Sequence, residues 1–234
     1  VPTVETEPIE TGIATAVHIL RRMGPAAIDW LVVTSPLGAS IAIDALARAE
    51  LRPGRGRPRV AAVGPATAAV LHDGGWSAAV VPPAAGGAAI AVAMAARERL
   101  AGRRILLARA DAAGSDLPDA LRAAGALVED VAVYRTLEAP TASAPALRDA
   151  LRDGTLGAIV AASGSAVRGL VRLAGADLAA RLRDLPIVSI GPTTSASVRD
   201  VGLHVAAEAA RPDDDALFQL IDDLLPTTAG SRDA

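Results

Sequence analysis

Four short turns and one phenol are the groups of this chain with chemistry to offer. The turns are Thr34-Ser35-Pro36, Gly64-Pro65-Ala66-Thr67, Ser163-Gly164-Ser165 and Gly191-Pro192-Thr193-Thr194. Each consists of small or hydroxylated residues and runs into a stretch of helical character. Such a turn presents side-chain hydroxyls and unpaired backbone N–H groups backed by the positive end of a helix dipole, a setting that suits an anion. Ser and Thr there are also ordinary helix caps, and Gly-Pro is ordinary turn chemistry. It is the recurrence of the turns in two halves of the chain that favours a binding role. Tyr134 is the single tyrosine; a phenol titrates near 10 and can donate a proton at neutral pH. Arg109 and Arg135 are candidate partners for carboxylates, with Arg109 directly after the apolar run Ile105–Ala108.

Composition removes most other chemistries. The chain has 234 residues and no Cys, so it has no thiolate nucleophile, disulfide or Cys-ligated metal. All 23 basic residues are Arg, which excludes a Schiff-base lysine and the P-loop lysine. His18, His72 and His204 are far apart in sequence and form no metal-ligand spacing. Asp213-Asp214-Asp215 reads as a helix N-terminus, not a metal triad. A metal site built on His or Cys is therefore not expected. With a net charge of −3 there is no basic footprint for nucleic acid. No 18-residue apolar run suggests a membrane span, and no signal peptide opens the sequence. A cytoplasmic location is the expectation. Aromatics make up 2% of the chain, so the core must be aliphatic.

The turns need a scaffold, and an internal repeat supplies one. Val60 to Ala69 reads VAAVGPATAA and Ile187 to Ala196 reads IVSIGPTTSA, 127 positions later. WLVVTSPLGA from Trp30 matches AIVAASGSAV from Ala158, shifted by 128. A repeat this long is a domain-sized unit used twice. Leu31–Thr34, Val60–Val63, Ala79–Val81 and Ile105–Ala108 are short apolar runs without alternation, the pattern of strands buried on both faces. They alternate with helical stretches at Ser40–Ala49, Ala66–His72, Ala88–Leu100 and Leu117–Ala124. The second unit repeats the pattern with strands at Ala158–Ala161, Ile187–Ile190 and His204–Ala206 and helices at Ala166–Leu173, Thr193–Val201 and Asp214–Leu225. This order implies βαβ units with parallel sheets, whose ligands sit at the carboxyl ends of the strands. All four turns fall there.

The expected organisation is a first linker strand at 1–8, an α/β domain at 9–130, a second linker strand at 131–138, a second α/β domain at 139–225 and a flexible tail at 226–234. The first unit ends with a strand-helix pair, Arg104–Ala124, that the second lacks. Such a pair is expected before residue 1.

The stretches VVTSPLGASIAIDAL, VAAVGPATAAVL, LLARADAAGSDLPDALRAAGALVEDVAVYRT and IVSIGPTTSASVRDVGLHV together resemble the uroporphyrinogen-III synthase family of tetrapyrrole biosynthesis, over nearly the whole chain. The resemblance implies two flavodoxin-like or Rossmann-like α/β domains joined by a two-stranded linker, with the active site in the cleft between them. It implies a lyase, acting as a monomer without cofactor, that takes the linear tetrapyrrole hydroxymethylbilane, removes its hydroxyl as water, inverts ring D through a spiro intermediate and closes the macrocycle. Tyr134 matches the tyrosine thought to act as general acid, and Thr194 a threonine that contacts a substrate carboxylate. Ser35, Thr67, Ser163, Ser165 and Thr193 match other cleft positions. The sequence departs from the family in lacking the first strand, and at Ala162, where the repeat places the counterpart of Thr34. A non-catalytic two-lobed protein that closes on a polyanion is the alternative reading.

Overall fold

The non-alternating apolar runs form short parallel strands, each followed by a helix. The computed structural model describes residues 1–54, 56, 58–83, 87–211 and 214–225. Asp213 and the expected tail at 226–234 lie outside the described residues. The chain divides into two units, Thr6–Thr136 and a second formed by Val1–Glu5 with Leu137–Ala234.

The first sheet, most of it in the Thr6–Thr136 unit, has the strands β1 (Val4–Pro8), β2 (Trp30–Val33), β3 (Arg59–Ala62), β4 (Ala78–Val80), β5 (Arg104–Ala110) and β6 (Leu127–Glu138). They form one sheet in the order β1-β6-β5-β2-β3-β4. The pairs β6-β5, β5-β2, β2-β3 and β3-β4 are parallel. β1 runs antiparallel to β6, as the bonds Ile9 N–H to Val133 O and Ala139 N–H to Thr3 O show. Helices α1 (Glu10–Leu20), α2 (Pro36–Arg48) and α3 (Pro65–Asp73) cover one face, where Leu31, Val33, Leu106 and Val133 pack on Ala39, Leu46 and Leu71. Helices α4 (Gly87–Arg97) and α5 (Asp116–Ala123) cover the other, where Trp30, Val32 and Leu107 meet Ile90, Met94 and Leu121. With helices on both faces, every strand residue needs to be apolar, which is why these runs do not alternate. Helices α3 and α5 stop just before Gly75 and Gly125, both left-handed, a conformation that L side chains resist.

The second unit holds α6 (Ala144–Asp153), β7 (Ile159–Ala161), α7 (Gly164–Ala174), α8 (Ala179–Asp184), β8 (Ile187–Ser189), α9 (Pro192–Asp200), β9 (Val205–Glu208) and α10 (Asp214–Leu224). Its sheet is parallel, in the order β7-β8-β9. Among the described residues no strand pairs with the other edge of β7, and a groove lined by Val1, Ile159, Val160 and Leu170 lies against it. No described helix is long and apolar enough to cross a membrane.

Several boundaries differ from the sequence reading. β2 ends at Val33, leaving Thr34 in the turn, and β9 starts at Val205 and not at His204. β6 begins at Leu127, four residues before the expected linker strand. Glu129 and Asp130 near its start are tolerated because Arg22 and Arg109 pair with them.

Candidate active site

The carboxyl end of the first sheet gathers Thr34, Ser35, Gly64, Thr67, Arg109 and Tyr134. Ser35 leaves β2 in extended conformation and caps α2, its Oγ accepting the Gly38 N–H at 2.9 Å. Pro36 takes the first helical position, where a missing N–H costs nothing. The same Oγ lies 2.8 Å from Oη of Tyr134.

A bulge places the phenol there. The β5-β6 register steps from Arg109↔Ala132 to Ala110↔Tyr134, so β6 carries one extra residue. Strict alternation would put Tyr134 on the face opposite Val133. The extra residue turns it to the same face, and both side chains join the cluster formed with α1 and α2. Tyr134 is 8% exposed. Arg135, next to it, is exposed.

Arg109 points to the other face. Its Nε donates to Oδ1 of Asp130 at 2.7 Å and its Nη2 to Oδ2, while Nη1 donates to the Gly114 carbonyl at 2.5 Å. The Asp130 bond, partly offset by burial, raises the guanidinium above its usual value. Three of its five N–H groups thus fasten the turn after β5 to β6. Thr34 and Arg109 line one small hollow together with Val63 and Leu117.

Gly64 caps α3 without a side chain, and a Cβ placed on it would meet no atom within 4 Å. The space beside the entry to α3 is therefore open. Thr67, in that turn, is 2% exposed, and its hydroxyl bonds to no described residue.

The second unit repeats these features at the carboxyl ends of β7 and β8. Ser163 caps α7, its Oγ accepting the Ala166 N–H at 3.1 Å and lying 3.0 Å from Oγ of Ser165. Gly164 begins the helix. Gly191 caps α9 without a side chain, again with open space where a Cβ would stand. Thr194 is 6% exposed with a hydroxyl that bonds to no described residue, as at Thr67. Thr193 is exposed.

Four participants escape a reading of the sequence alone. Asp130 and Gly38 act through a strand pairing and a close approach that have no local signature. Ser189 and Ser195 share a buried hydrogen bond that ties α9 to β8. Their repeat counterparts are Ala62 and Ala68, and that paired change was the available signal.

Comparison with known proteins gives a consistent result. A family model described as "Uroporphyrinogen-III synthase HemD" matches residues 1–219. A protein of Synechococcus elongatus named uroporphyrinogen-III synthase is 29% identical over 204 residues, covering 84% of this chain and 75% of its own. The crystal structure of uroporphyrinogen-III synthetase from Helicobacter pylori aligns with a TM-score of 0.62 at 18% identity, over 95% of this chain and 91% of that one. A mutant uroporphyrinogen III synthase from Thermus thermophilus aligns with a TM-score of 0.61 at 17% identity, over 96% and 88%. At such identities the two structures establish the fold: α/β with parallel sheets.

Proposed function

Because the chain belongs to the uroporphyrinogen-III synthase family, we propose that it closes hydroxymethylbilane into uroporphyrinogen III, with Tyr134 as the proton donor. The family places it among the enzymes of tetrapyrrole biosynthesis and favours catalysis over the reading as a two-lobed binder. The functional unit in this proposal is a single chain in the cytoplasm.

The observation that carries the proposal is the position of Tyr134 Oη, 2.8 Å from Ser35 Oγ at the first turn of α2. The phenol transfers its proton to the hydroxyl oxygen of the substrate. The carbon–oxygen bond then breaks, its electron pair leaving with water, and a pyrrole nitrogen supplies electrons to the carbon left behind. The electron pair of the broken O–H bond stays on Tyr134. When the macrocycle closes, the attacked ring position loses a proton, and one proton returns to the phenolate. The net change is loss of one water, and the enzyme is restored without a redox step. A positioned acid of this kind contributes about 10²–10⁴-fold.

The acetate and propionate groups of the substrate suit the duplicated turns. The open first turns of α3 and α9, with Thr67 and Thr194, offer N–H and O–H donors where the helix dipole favours negative charge. Thr34, Ser163, Gly164, Ser165 and Thr193 extend these donor sets, and Gly64 and Gly191 keep them open. Arg109 holds the turn beyond β5 and has two N–H groups left for a carboxylate. Holding a flexible chain so that its ends meet is itself a large part of the catalysis. Freshly made hydroxymethylbilane should give the type III isomer with this protein. Formation of the type I isomer alone, the product of spontaneous closure, would refute the proposal.

A further inference from the structure

We propose that Ser35 is a positioning residue that holds the phenol of Tyr134 and donates a hydrogen bond to its oxygen as the proton leaves. The inference rests on the reading of Tyr134 as the acid and adds a second residue to it.

Three features of the first unit converge on this contact. The Ser35 Oγ accepts the Gly38 N–H at 2.9 Å, so one lone pair is fixed and the hydroxyl proton remains free to be donated. The bulge in β6 delivers Tyr134 Oη to within 2.8 Å of that oxygen. At Gly38 itself, a Cβ would stand 3.0 Å from Ser35 Oγ, 3.3 Å from the Ala108 carbonyl and 3.7 Å from Cε1 of Tyr134. The helix thus has a glycine in its first turn where a side chain would press on the serine.

The repeat provides an internal control. Ser163 is the counterpart of Ser35 and makes the same cap, but its Oγ meets Ser165 and no phenol. The counterpart of Gly38 there is Ala166. Capping alone accounts for a serine at both positions; it does not account for glycine at only one. The glycine occurs where the tyrosine occurs.

The proton accounting is closed. Before the reaction the phenol holds its proton. As that proton passes to the leaving hydroxyl oxygen, the electron pair stays on Oη. The Ser35 O–H then points at the phenolate and keeps its own proton throughout. Bonds to a charged acceptor are stronger than neutral ones, so the contact stabilises the state after transfer more than the state before it. That difference appears in kcat.

Four variants test this: Ser35→Ala, Ser35→Thr, Tyr134→Phe and the double variant Ser35→Ala/Tyr134→Phe, each assayed for type III product and checked for folding by circular dichroism. Ser35→Ala is expected to lower kcat by about 10–100-fold with KM changed less than about twofold. Ser35→Thr, which keeps the hydroxyl, should recover most of the loss. The double variant should be no slower than Tyr134→Phe alone, because the serine acts through the phenol. Full activity in Ser35→Ala, a loss confined to KM, or additive losses in the double variant would each overturn the inference. If Tyr134→Phe keeps full turnover while Ser35→Ala loses it, the acid assignment fails as well, and Ser35 is a direct ligand. Lost cap stability is read separately from the melting temperature, where Ser163→Ala and Ser35→Ala should fall by similar amounts.

Discussion

The two units share a plan down to its irregularities. The helices α3 and α9 have the same length and the same Gly-Pro entry. The strand pairs β3-β4 and β8-β9 both slip register, between Val60 and Ala61 and between Ile187 and Val188; those positions are 127 apart. The serine caps of α2 and α7 accept from the equivalent N–H groups. The units differ at the edge of the central strand. β2 has β5 and then β6 beyond it, whereas the same edge of β7 has no partner among the described residues. β6 carries Tyr134 to the site. The turns proposed to bind anions are thus present twice and the proposed proton donor once, so in this proposal duplication of the scaffold does not need duplication of the reacting group.

Removing the single donor tests that asymmetry most directly. Tyr134→Phe, which keeps the ring and deletes the hydroxyl, should lower type III turnover by about 10²–10⁴-fold with little change in the melting curve. Unchanged turnover would leave both units with the same, purely binding, role. The next effect concerns stability. Val32 is 0% exposed while its repeat counterpart Val160 is 45% exposed, because α4 and α5 cover β2. Val32→Ala should cost about 2 kcal/mol in urea unfolding, and Val160→Ala under about 0.5 kcal/mol. Equal costs would mean that β7 is covered as well as β2. A smaller effect should fall on both units alike. Thr67→Val and Thr194→Val keep the shape and delete equivalent hydroxyls. Each should raise KM for hydroxymethylbilane by about fivefold, one hydrogen bond's worth, with kcat nearly preserved. A rise in only one variant would show that one unit holds the substrate.

The sequence disclosed the scaffold better than the site. Non-alternating apolar runs and glycine stops made β2, β3, β5, α2 and α3 readable, since both signals are local. α6 and α8 lacked such a signal. α6 buries only Leu147 and Leu151 along a charged helix, and α8 is six residues long with Leu182 buried. The turns were legible as donors because their residue types and their repeat are visible in one dimension. The contact between Ser35 and Tyr134 was not, since it joins residues 99 apart through a bulge that reverses the face of one side chain. Arg109 was legible as a cation at the ligand end of β5. Its pairing with Asp130 depends on β5 and β6 lying parallel in one register, which no window of the sequence shows.

The weakest expected effect separates two ion pairs, one in each unit. Arg109 and Asp130 meet in a pocket where the arginine is buried. The bond to Asp130 raises the guanidinium pKa, so its contribution is complete below the unfolded value and is lost only as strong alkali passes the raised folded one. In neutral solution it does not vary with pH. In the second unit the Arg148 hydrogen bond lowers the carboxyl pKa of Asp177. The sign is then the reverse. The contribution is complete above the ordinary aspartate value of about 3.9 and disappears as pH falls through the lowered folded value. Asp177 is exposed, where water screens the pair and exposed ion pairs count for little. Asp177→Asn should therefore shift the urea midpoint slightly downward at pH 7, and the difference from the parent protein should close on acidification. A difference that widened with acid would mean that the carboxyl is held above its ordinary value and that the arginine is not its effective partner.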